Sequence, residues 1–131
     1  MYNIIKRNKI SDSRGWFLKV LDGNEDHLKK EIGEFYITVA HPNQSKGGHY
    51  HDIANEWFTL ISGKCILELY DTKSNISKQI KLSASVMETI YVPSKIAHRF
   101  LNIGDENFIL LAYSDEKYDP ADTIMFDFDS I

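Results

Sequence analysis

Hydrophobic and polar residues alternate with a period of two over much of this sequence. The clearest segments are rich in aromatic and branched aliphatic residues and are bounded by Gly, Pro, Asn, Asp or Ser; they are residues 35–40, 56–62, 64–71, 87–92 and 108–114. This period is typical of β-strands that bury one face and expose the other. The pattern therefore predicts an all-β chain.

Short polar segments separate the predicted strands. Residues 62–64, Ser-Gly-Lys, predict a hairpin turn, and residues 71–75 predict a second, looser turn. One short helix is expected over residues 25–32, with Asn24 as its N-cap. Many short strands with little helix favour an antiparallel sandwich or barrel.

The composition indicates one folded domain. With 131 residues, of which 43% are hydrophobic, we expect a single domain over residues 1–131. The net charge of −4 argues against nucleic acid as a partner. The longest apolar run, residues 108–113, is far shorter than the roughly 20 residues of a membrane helix, so we expect no membrane partner. The single cysteine, Cys65, excludes an internal disulfide and fits a cytoplasmic protein.

Three histidines and one glutamate are candidate metal ligands. His49 and His51 share one face if their segment is extended, with Tyr50 on the other face. Glu56 begins the next predicted strand, and His98 lies much later in the chain. Three imidazoles and a carboxylate suit Zn, Fe, Mn, Ni or Cu. The spacing alone leaves open whether they converge, because a His-x-His pair on a strand is commonly a polar surface pair.

Two longer patterns carry a resemblance to the cupin superfamily. Residues 49–63 read His-x-His, four residues, Glu, six residues, Gly, which resembles the first cupin motif. Residues 93–102 read Pro-x-Lys-x-x-His-x-x-x-Asn, which resembles the second motif, with Lys95 where the family usually has glycine. The leading glycines of the two motifs fall on Asn43 and Met87. The resemblance implies a small antiparallel jelly-roll barrel, with a divalent metal held inside it by His49, His51, Glu56 and His98.

A narrower resemblance covers nearly the whole chain. Residues 12–17, Asp-Ser-Arg-Gly-Trp-Phe, and residues 46–51, Lys-Gly-Gly-His-Tyr-His, are similar to segments of nucleotide-sugar-modifying cupins. These cupins include the deoxythymidine-diphosphate-rhamnose 3,5-epimerases and the sugar 3,4-ketoisomerases. Residues 112–124 resemble the end of the ketoisomerases and the cupin domain that ends bifunctional capsule nucleotide-sugar reductases. The subfamily stays open between these groups.

The resemblance implies proton transfer on a 4-keto-6-deoxy nucleotide sugar. Both enzyme types remove a proton next to the ketone and return one elsewhere or on the opposite face, which requires a base and an acid. The resemblance places the base on His49 or His51. It places Tyr36 where ketoisomerases carry a site tyrosine, although a strand tyrosine can also serve packing alone. An imidazole that binds a metal through one nitrogen cannot use that lone pair as a base, so the two roles compete.

Three residues are expected to bind the substrate. Arg14 is the best candidate for the diphosphate, because a guanidinium matches phosphate oxygens bidentately, and Lys46 would assist as a point charge. Trp16 is expected to stack on the nucleotide base or, alternatively, to pack in the core. Two other classes of cupin remain open: a different metal-dependent enzyme of the dioxygenase type, and a non-catalytic sugar-binding protein.

The beginning of the chain predicts a homodimer. Residues 1–5, Met-Tyr-Asn-Ile-Ile, form a short apolar stretch that a single barrel would leave as an exposed sheet edge. Exposed edges carry unpaired backbone groups and pair with other chains. In the alternative, this stretch folds back onto its own barrel.

Overall fold

A computed structural model of the chain describes residues 6, 8–26, 32–86 and 88–131. In these ranges the regular structure consists of β-strands and two short 3-10 turns, Pro120–Asp122 and Phe128–Ser130. The strands are β1 (Lys9–Asp12), β2 (Gly15–Leu21), β3 (Glu34–Ala40), β4 (Ser45–Tyr50), β5 (Glu56–Ser62), β6 (Lys64–Asp71), β7 (Ile76–Ser83), β8 (Thr89–Val92), β9 (Ile96–Asn102), β10 (Phe108–Ser114) and β11 (Ile124–Met125).

The strands form two antiparallel sheets. The first sheet has the order β1-β2-β3-β10-β5-β8, and the second has the order β11-β4-β9-β6-β7. From β3 to β6 the chain alternates between the sheets, so that each is assembled from strands distant in sequence. The predicted all-β jelly-roll fold of the cupin type is confirmed.

The predicted turns have different outcomes. The turn over residues 71–75 joins β6 to β7, which pair directly, so this hairpin is confirmed. The hairpin predicted at residues 62–64 is wrong, because β5 and β6 belong to different sheets and Gly63 carries the chain from one to the other. The left-handed φ of 95° at Gly63 permits this sharp change of direction.

Two predicted elements fall largely outside the described residues. Of the helix expected over 25–32, residues 27–31 are not described, and the described residues at its ends are not helical. The N-terminal strand expected over residues 1–5 also lies outside the described ranges. In the described part of the chain, no helix has the length and apolar character needed to cross a bilayer.

The core lies between the two sheets. The cluster combines buried residues of the first sheet, such as Phe58, Leu60 and Leu110, with residues of the second, such as Leu67 and Phe100. Cys65 is fully buried among them, as expected for a small core residue, and burial raises the pKa of its thiol to about 12. The apolar packing fills one part of the interior, and inward polar side chains of the same strands line a cavity in the rest.

Candidate functional site

A bulge in β4 aims the two neighbouring histidines into the barrel. Opposite β9, Gly47 pairs with Arg99 and His49 pairs with His98, so Gly48 is an extra residue on this strand. Both glycines have left-handed φ values, 94° and 84°. A Cβ at Gly47 would lie 2.7 Å from the backbone oxygen of His98, so only glycine fits there.

The structure brings the four candidate metal ligands together. His49 lies on β4, His51 directly follows the end of β4, Glu56 begins β5 and His98 lies on β9. One potential ligand atom from each of the four residues lies within 4.8 Å of the others. Glu56 is 3% exposed and His98 is 2% exposed, so the cluster lies deep in the cavity. The four residues can therefore hold a metal ion.

Backbone carbonyls orient two of the imidazoles. The Nδ1 atom of His51 lies 2.8 Å from the carbonyl oxygen of Asp122, and Nδ1 of His98 lies 3.1 Å from that of Ile96. A carbonyl oxygen can only accept a hydrogen bond, so each Nδ1 is the donor. Both Nε2 atoms then face the cluster, which is how proteins fix metal-binding histidines.

The surroundings of the Glu56 carboxylate show that this cluster is suited to a cation. Its Oε1 atom lies 2.9 Å from Nε2 of His51 and 3.3 Å from Nε2 of His98. Oε1 is buried and no described donor is aligned to hydrogen-bond to it. The Nε2 atoms of His51 and His98 would each direct a lone pair at this buried carboxylate oxygen. Such an arrangement requires a positive charge between them, either a proton or a metal ion. The donor set therefore fits a divalent transition metal.

The pKa values of His49, His51 and Glu56 are shifted in different directions. Burial, together with the His98 and His51 imidazoles, lowers the pKa of His49 to about 4, so His49 is neutral at pH 7. Burial opposes protonation of His51 as well, but the Glu56 carboxylate outweighs it and raises the pKa of His51. Burial favours the neutral acid at Glu56, yet the contacts with His51 and His98 hold its pKa well below the ordinary value.

Tyr36 contacts the cluster through Glu56. Its hydroxyl donates to Oε2 of Glu56 over 2.5 Å, leaving Oε1 to the imidazole side. Burial and the Glu56 charge raise the pKa of Tyr36 well above its ordinary value, so the phenol keeps its proton. Tyr36 lies on β3 and lines the cavity.

Two cations lie elsewhere on the wall of the same cavity. The half-exposed Arg14 guanidinium pairs with Asp12, with 2.8 Å between Nη2 and Oδ2, and this pairing lowers the pKa of Asp12 to about 2. Lys46 is buried, and burial together with the Arg14 charge lowers the pKa of its ammonium. The predicted pair of phosphate-binding residues therefore faces the cavity that holds the cluster.

The structure does not bring Trp16 to the cavity. Alternation along β2 turns Phe17 inward, where it lines the cavity and packs against Tyr36 with 5.1 Å between ring centroids. Trp16 lies on the opposite face of the strand, and the ammonium of Lys9 sits 5.0 Å from its ring centroid. An aromatic contact from β2 to a ligand in the cavity would come from Phe17.

Several polar residues of this cavity were not predicted from the sequence, among them Lys19, Glu34 and Asp122. Lys19 and Glu34 form a partly buried ion pair, 2.7 Å between Nζ and Oε2, and both line the cavity. Glu34 is two residues before Tyr36 and Lys19 two after Phe17, so strand alternation was the available signal. Asp122 also lines the cavity, from a turn that gives no periodic pattern.

The cavity has the size of a small-molecule site. Its volume is about 490 Å³, within the range of roughly 300–1,000 Å³ typical of ligand pockets. Polar and charged groups converge at the His/Glu cluster, and apolar side chains such as Phe17, Phe58 and Leu110 complete the wall. This arrangement can bind an organic ligand and transfer protons to or from it.

Comparisons with known proteins place the chain in a family. Residues 10–126 match the family described as the polysaccharide biosynthesis C-terminal domain. A UDP-2-acetamido-2,6-beta-L-arabino-hexul-4-ose reductase of Pseudomonas aeruginosa is 25% identical over 109 residues, which are 83% of this chain and 28% of the relative.

Solved structures share the fold. The capsular polysaccharide assembling protein CapF of Staphylococcus aureus matches with a TM-score of 0.83 and 22% identity, over 95% of this chain and 33% of CapF. A dTDP sugar isomerase of Desulfovibrio desulfuricans G20 matches with a TM-score of 0.71 and 18% identity, over 95% of this chain and 83% of the isomerase. The chain thus spans about a third of the length of the reductase and of CapF. By its sequence match and its cupin fold, the chain belongs to the polysaccharide biosynthesis C-terminal domain family.

Proposed function

We propose that this protein is an isomerase or epimerase of a 4-keto-6-deoxy nucleotide sugar, acting in the synthesis of a surface polysaccharide or glycan. The family match and the names of the similar reductase and sugar isomerase support the substrate class. A nucleotide-diphosphate sugar is the proposed small-molecule partner. Choosing between isomerisation and epimerisation requires the product to be identified.

One observation carries this proposal: a single cavity contains both the His/Glu cluster and the Arg14–Lys46 pair. A nucleotide sugar has an anionic diphosphate on one side of a neutral sugar, so it needs cations beside, and not within, the proton-transfer site. Arg14 and Lys46 supply those cations, and Arg14 can bind two phosphate oxygens at once. A cupin that acts on a small uncharged substrate has no use for this pair.

The cluster supplies groups for proton transfer. Removal of a proton next to the ketone needs a base within hydrogen-bond reach, and we assign this role to the imidazole of His49 or His51. Tyr36 holds its phenolic proton against Glu56 and is our candidate for returning a proton to the sugar or for binding it. Apolar walls exclude water and strengthen these interactions.

His49, His51, Glu56 and His98 would hold a divalent transition metal, with Zn, Ni, Fe and Mn as candidates. Such an ion would polarise the ketone oxygen as a Lewis acid. A nitrogen bound to the ion cannot accept a proton, so with all three imidazoles ligated the base must be another group in the cavity.

We also propose that residues 1–131 act as one cupin domain and that the protein works in the cytoplasm as a homodimer. The edge strand β1 supports dimer formation, because all four of its residues are exposed and, among the described strands, it pairs with β2 alone. The single buried cysteine is compatible with a reducing compartment.

A panel of 4-keto-6-deoxy nucleotide sugars tests the activity. Each sugar is incubated with the protein in D2O, with and without added metal, and the products are identified by NMR. Proton transfer next to the ketone should give an isomerised or epimerised sugar carrying deuterium at that carbon. Neither product nor deuterium with any sugar would reject the proposal, and oxygen uptake instead would favour a dioxygenase-type cupin.

Variants separate the chemical step from binding. Tyr36→Phe should lower kcat by about 10²-fold or more if Tyr36 returns the proton. Arg14→Ala should raise KM about tenfold, which corresponds to roughly 1.4 kcal/mol of lost phosphate binding at a half-exposed site. Lys78→Ala, which removes an exposed charge on β7 outside the cavity, is the control and should change neither constant. An unchanged KM in Arg14→Ala would place the diphosphate elsewhere.

A further inference from the structure

The segment that follows β10 runs beside β4, the strand that carries His49 and leads directly into His51. β11 pairs with β4, with Ile124 opposite Tyr50 and Met125 opposite His49. The backbone N–H of Phe126 donates to the carbonyl of Gly48 over 2.9 Å, beside the bulge. This C-terminal segment, residues 119–126, therefore forms the edge of the second sheet next to the site.

Asp122 fastens this segment to the loop after β4. Its side chain is buried, with 7% of the residue exposed. Oδ1 accepts the backbone N–H groups of Asp52 at 2.8 Å and Ile53 at 2.9 Å, and Oδ2 accepts that of Ala54 at 3.0 Å. Three charge-assisted hydrogen bonds to successive amides fix the loop that joins His51 to Glu56.

The backbone of the same residue touches the cluster. The carbonyl oxygen of Asp122 accepts the Nδ1–H of His51 over 2.8 Å. Nδ1 therefore keeps its proton, and Nε2 is aimed at Oε1 of Glu56, 2.9 Å away. The carboxylate thus holds the loop in place while the carbonyl of the same residue orients the imidazole.

The turn around Asp122 keeps its shape without this carboxylate. Asp119 accepts the N–H of Ala121 through its side chain at 2.9 Å, and its carbonyl accepts the N–H of Asp122 at 2.9 Å. Pro120 begins the turn with a φ already suited to it. Loss of the Asp122 carboxylate would therefore release the docking of the turn on the loop, and not the turn itself.

We propose that Asp122 is a positioning residue, which sets the orientation and the protonated nitrogen of His51 by docking the C-terminal turn onto the loop after β4. The inference concerns the site of the proposed function, but it needs neither the sugar nor the metal. It applies whether Nε2 of His51 binds an ion or accepts a proton, because both uses require Nε2 to face the cluster.

The test compares Asp122→Ala and Asp122→Asn with the wild-type chain by NMR of the histidine rings. In metal-free wild-type protein, the Nδ1–H of His51 should be visible and should exchange slowly with water. In Asp122→Ala this exchange should accelerate at least tenfold, while the Nδ1–H of His98, bonded to Ile96, should stay unchanged as an internal reference. Asp122→Asn keeps one acceptor oxygen and should give an intermediate rate.

A zinc titration is the second readout. If wild-type protein binds zinc, Asp122→Ala should weaken its affinity about 10- to 100-fold, the usual effect of losing support behind a ligating histidine. Asp129→Ala is the matched control, because it removes an exposed acid that lies just after the C-terminal segment and pairs with Arg99. It should change neither the exchange rates nor the zinc affinity.

The exchange rates of the His51 ring N–H test the role of Asp122 without any measurement of enzymatic activity. A folded Asp122→Ala variant with a wild-type His51 exchange rate would overturn it. If the alanine variant does not fold, Asp122→Asn carries the test, and an unchanged His51 exchange rate there would overturn it equally. Failure of every sugar in the panel would reject the proposed function and leave this result standing.

Discussion

Lys95 has a φ of 74°, a left-handed conformation in a position where the cupin motif usually has glycine. Asn43, at the leading position of the first motif, has a φ of 66°. Both positions therefore keep the backbone that glycine permits, although neither is glycine. At Lys95 the backbone N–H donates to the carbonyl of His51 over 2.6 Å, and Nζ pairs with Asp52 at 2.8 Å. The backbone contact holds the strained conformation beside the site.

Two substitutions at this position separate strain from the ion pair. Lys95→Gly and Lys95→Ala both remove the exposed ion pair with Asp52, which contributes little to stability. Only glycine also relieves the left-handed strain, so Lys95→Gly should be more stable than Lys95→Ala by about 1 kcal/mol. Urea unfolding monitored by tryptophan fluorescence measures the difference. Equal stability of the two variants would show that the backbone here is relaxed.

Individual site residues were predictable from the sequence where a motif or alternation marked them. His49 and His51 are two residues apart at the end of β4 and directly after it, and the structure places both in the cavity. Trp16 and Phe17 are adjacent aromatic residues on β2, and composition alone does not say which one faces inward. Asp122 contributes through its backbone carbonyl and through hydrogen bonds to a distant loop, and such contacts leave no pattern in a sequence.

At the scale of elements, three buried strands were predicted with their observed bounds: β5, β6 and β10. β3 begins one residue earlier than predicted, and β8 begins at Thr89. These strands show clear alternation because one face packs in the core. β7 has Ile80 and Leu82 on its core side, but Lys78 shares that face and the strand lies at a sheet edge, so its alternation is weak. β9 turns polar residues such as His98 and Asn102 inward, so it shows no simple alternation either. A strand can be predicted from its sequence when one face is apolar and buried and the other is polar and exposed.

The predicted metal site depends on three strands meeting, because its four candidate ligands lie on or directly after β4, at the start of β5 and on β9. His98→Ala removes the ligand from β9, and we expect it to lower zinc affinity at least about hundredfold by calorimetry. His41→Ala, which removes an exposed histidine outside the cavity, should leave the affinity unchanged. Wild-type protein that shows no heat of zinc binding and no ion at these four side chains in a zinc-soaked crystal would contradict the predicted site.

At the scale of the whole molecule, the resemblance to cupins gave the two-sheet architecture, while periodicity alone gave the all-β class. Periodicity did not show whether the turn at Gly63 joins β5 and β6 as a hairpin or leads from one sheet to the other. A tight glycine turn can join two paired strands or two strands of different sheets. Here β5 pairs with β10 and β6 pairs with β9, and these partners are distant in sequence.

In the described part of the chain β1 is the edge strand of the first sheet, which leads to a prediction about assembly. β1 is exposed along all four residues, and a second copy could pair with this edge in a two-fold arrangement that satisfies both copies. Light scattering at micromolar concentration should therefore give about twice the 15.1 kDa chain mass. A mass of one chain that persists as the concentration is raised would exclude the dimer.

The extra residue in β4 changes which mutation disturbs the strand more, a deletion or a substitution. In a regular strand, deleting one residue turns every later side chain to the wrong face, whereas a small substitution is absorbed. Here the deletion of Gly48 would leave Lys46, His49 and His51 facing the same side of an unbulged strand. A methyl group at Gly47, in contrast, would meet the carbonyl of His98 at 2.7 Å. We therefore expect the deletion of Gly48 to disturb the strand less than the substitution of Gly47 by alanine.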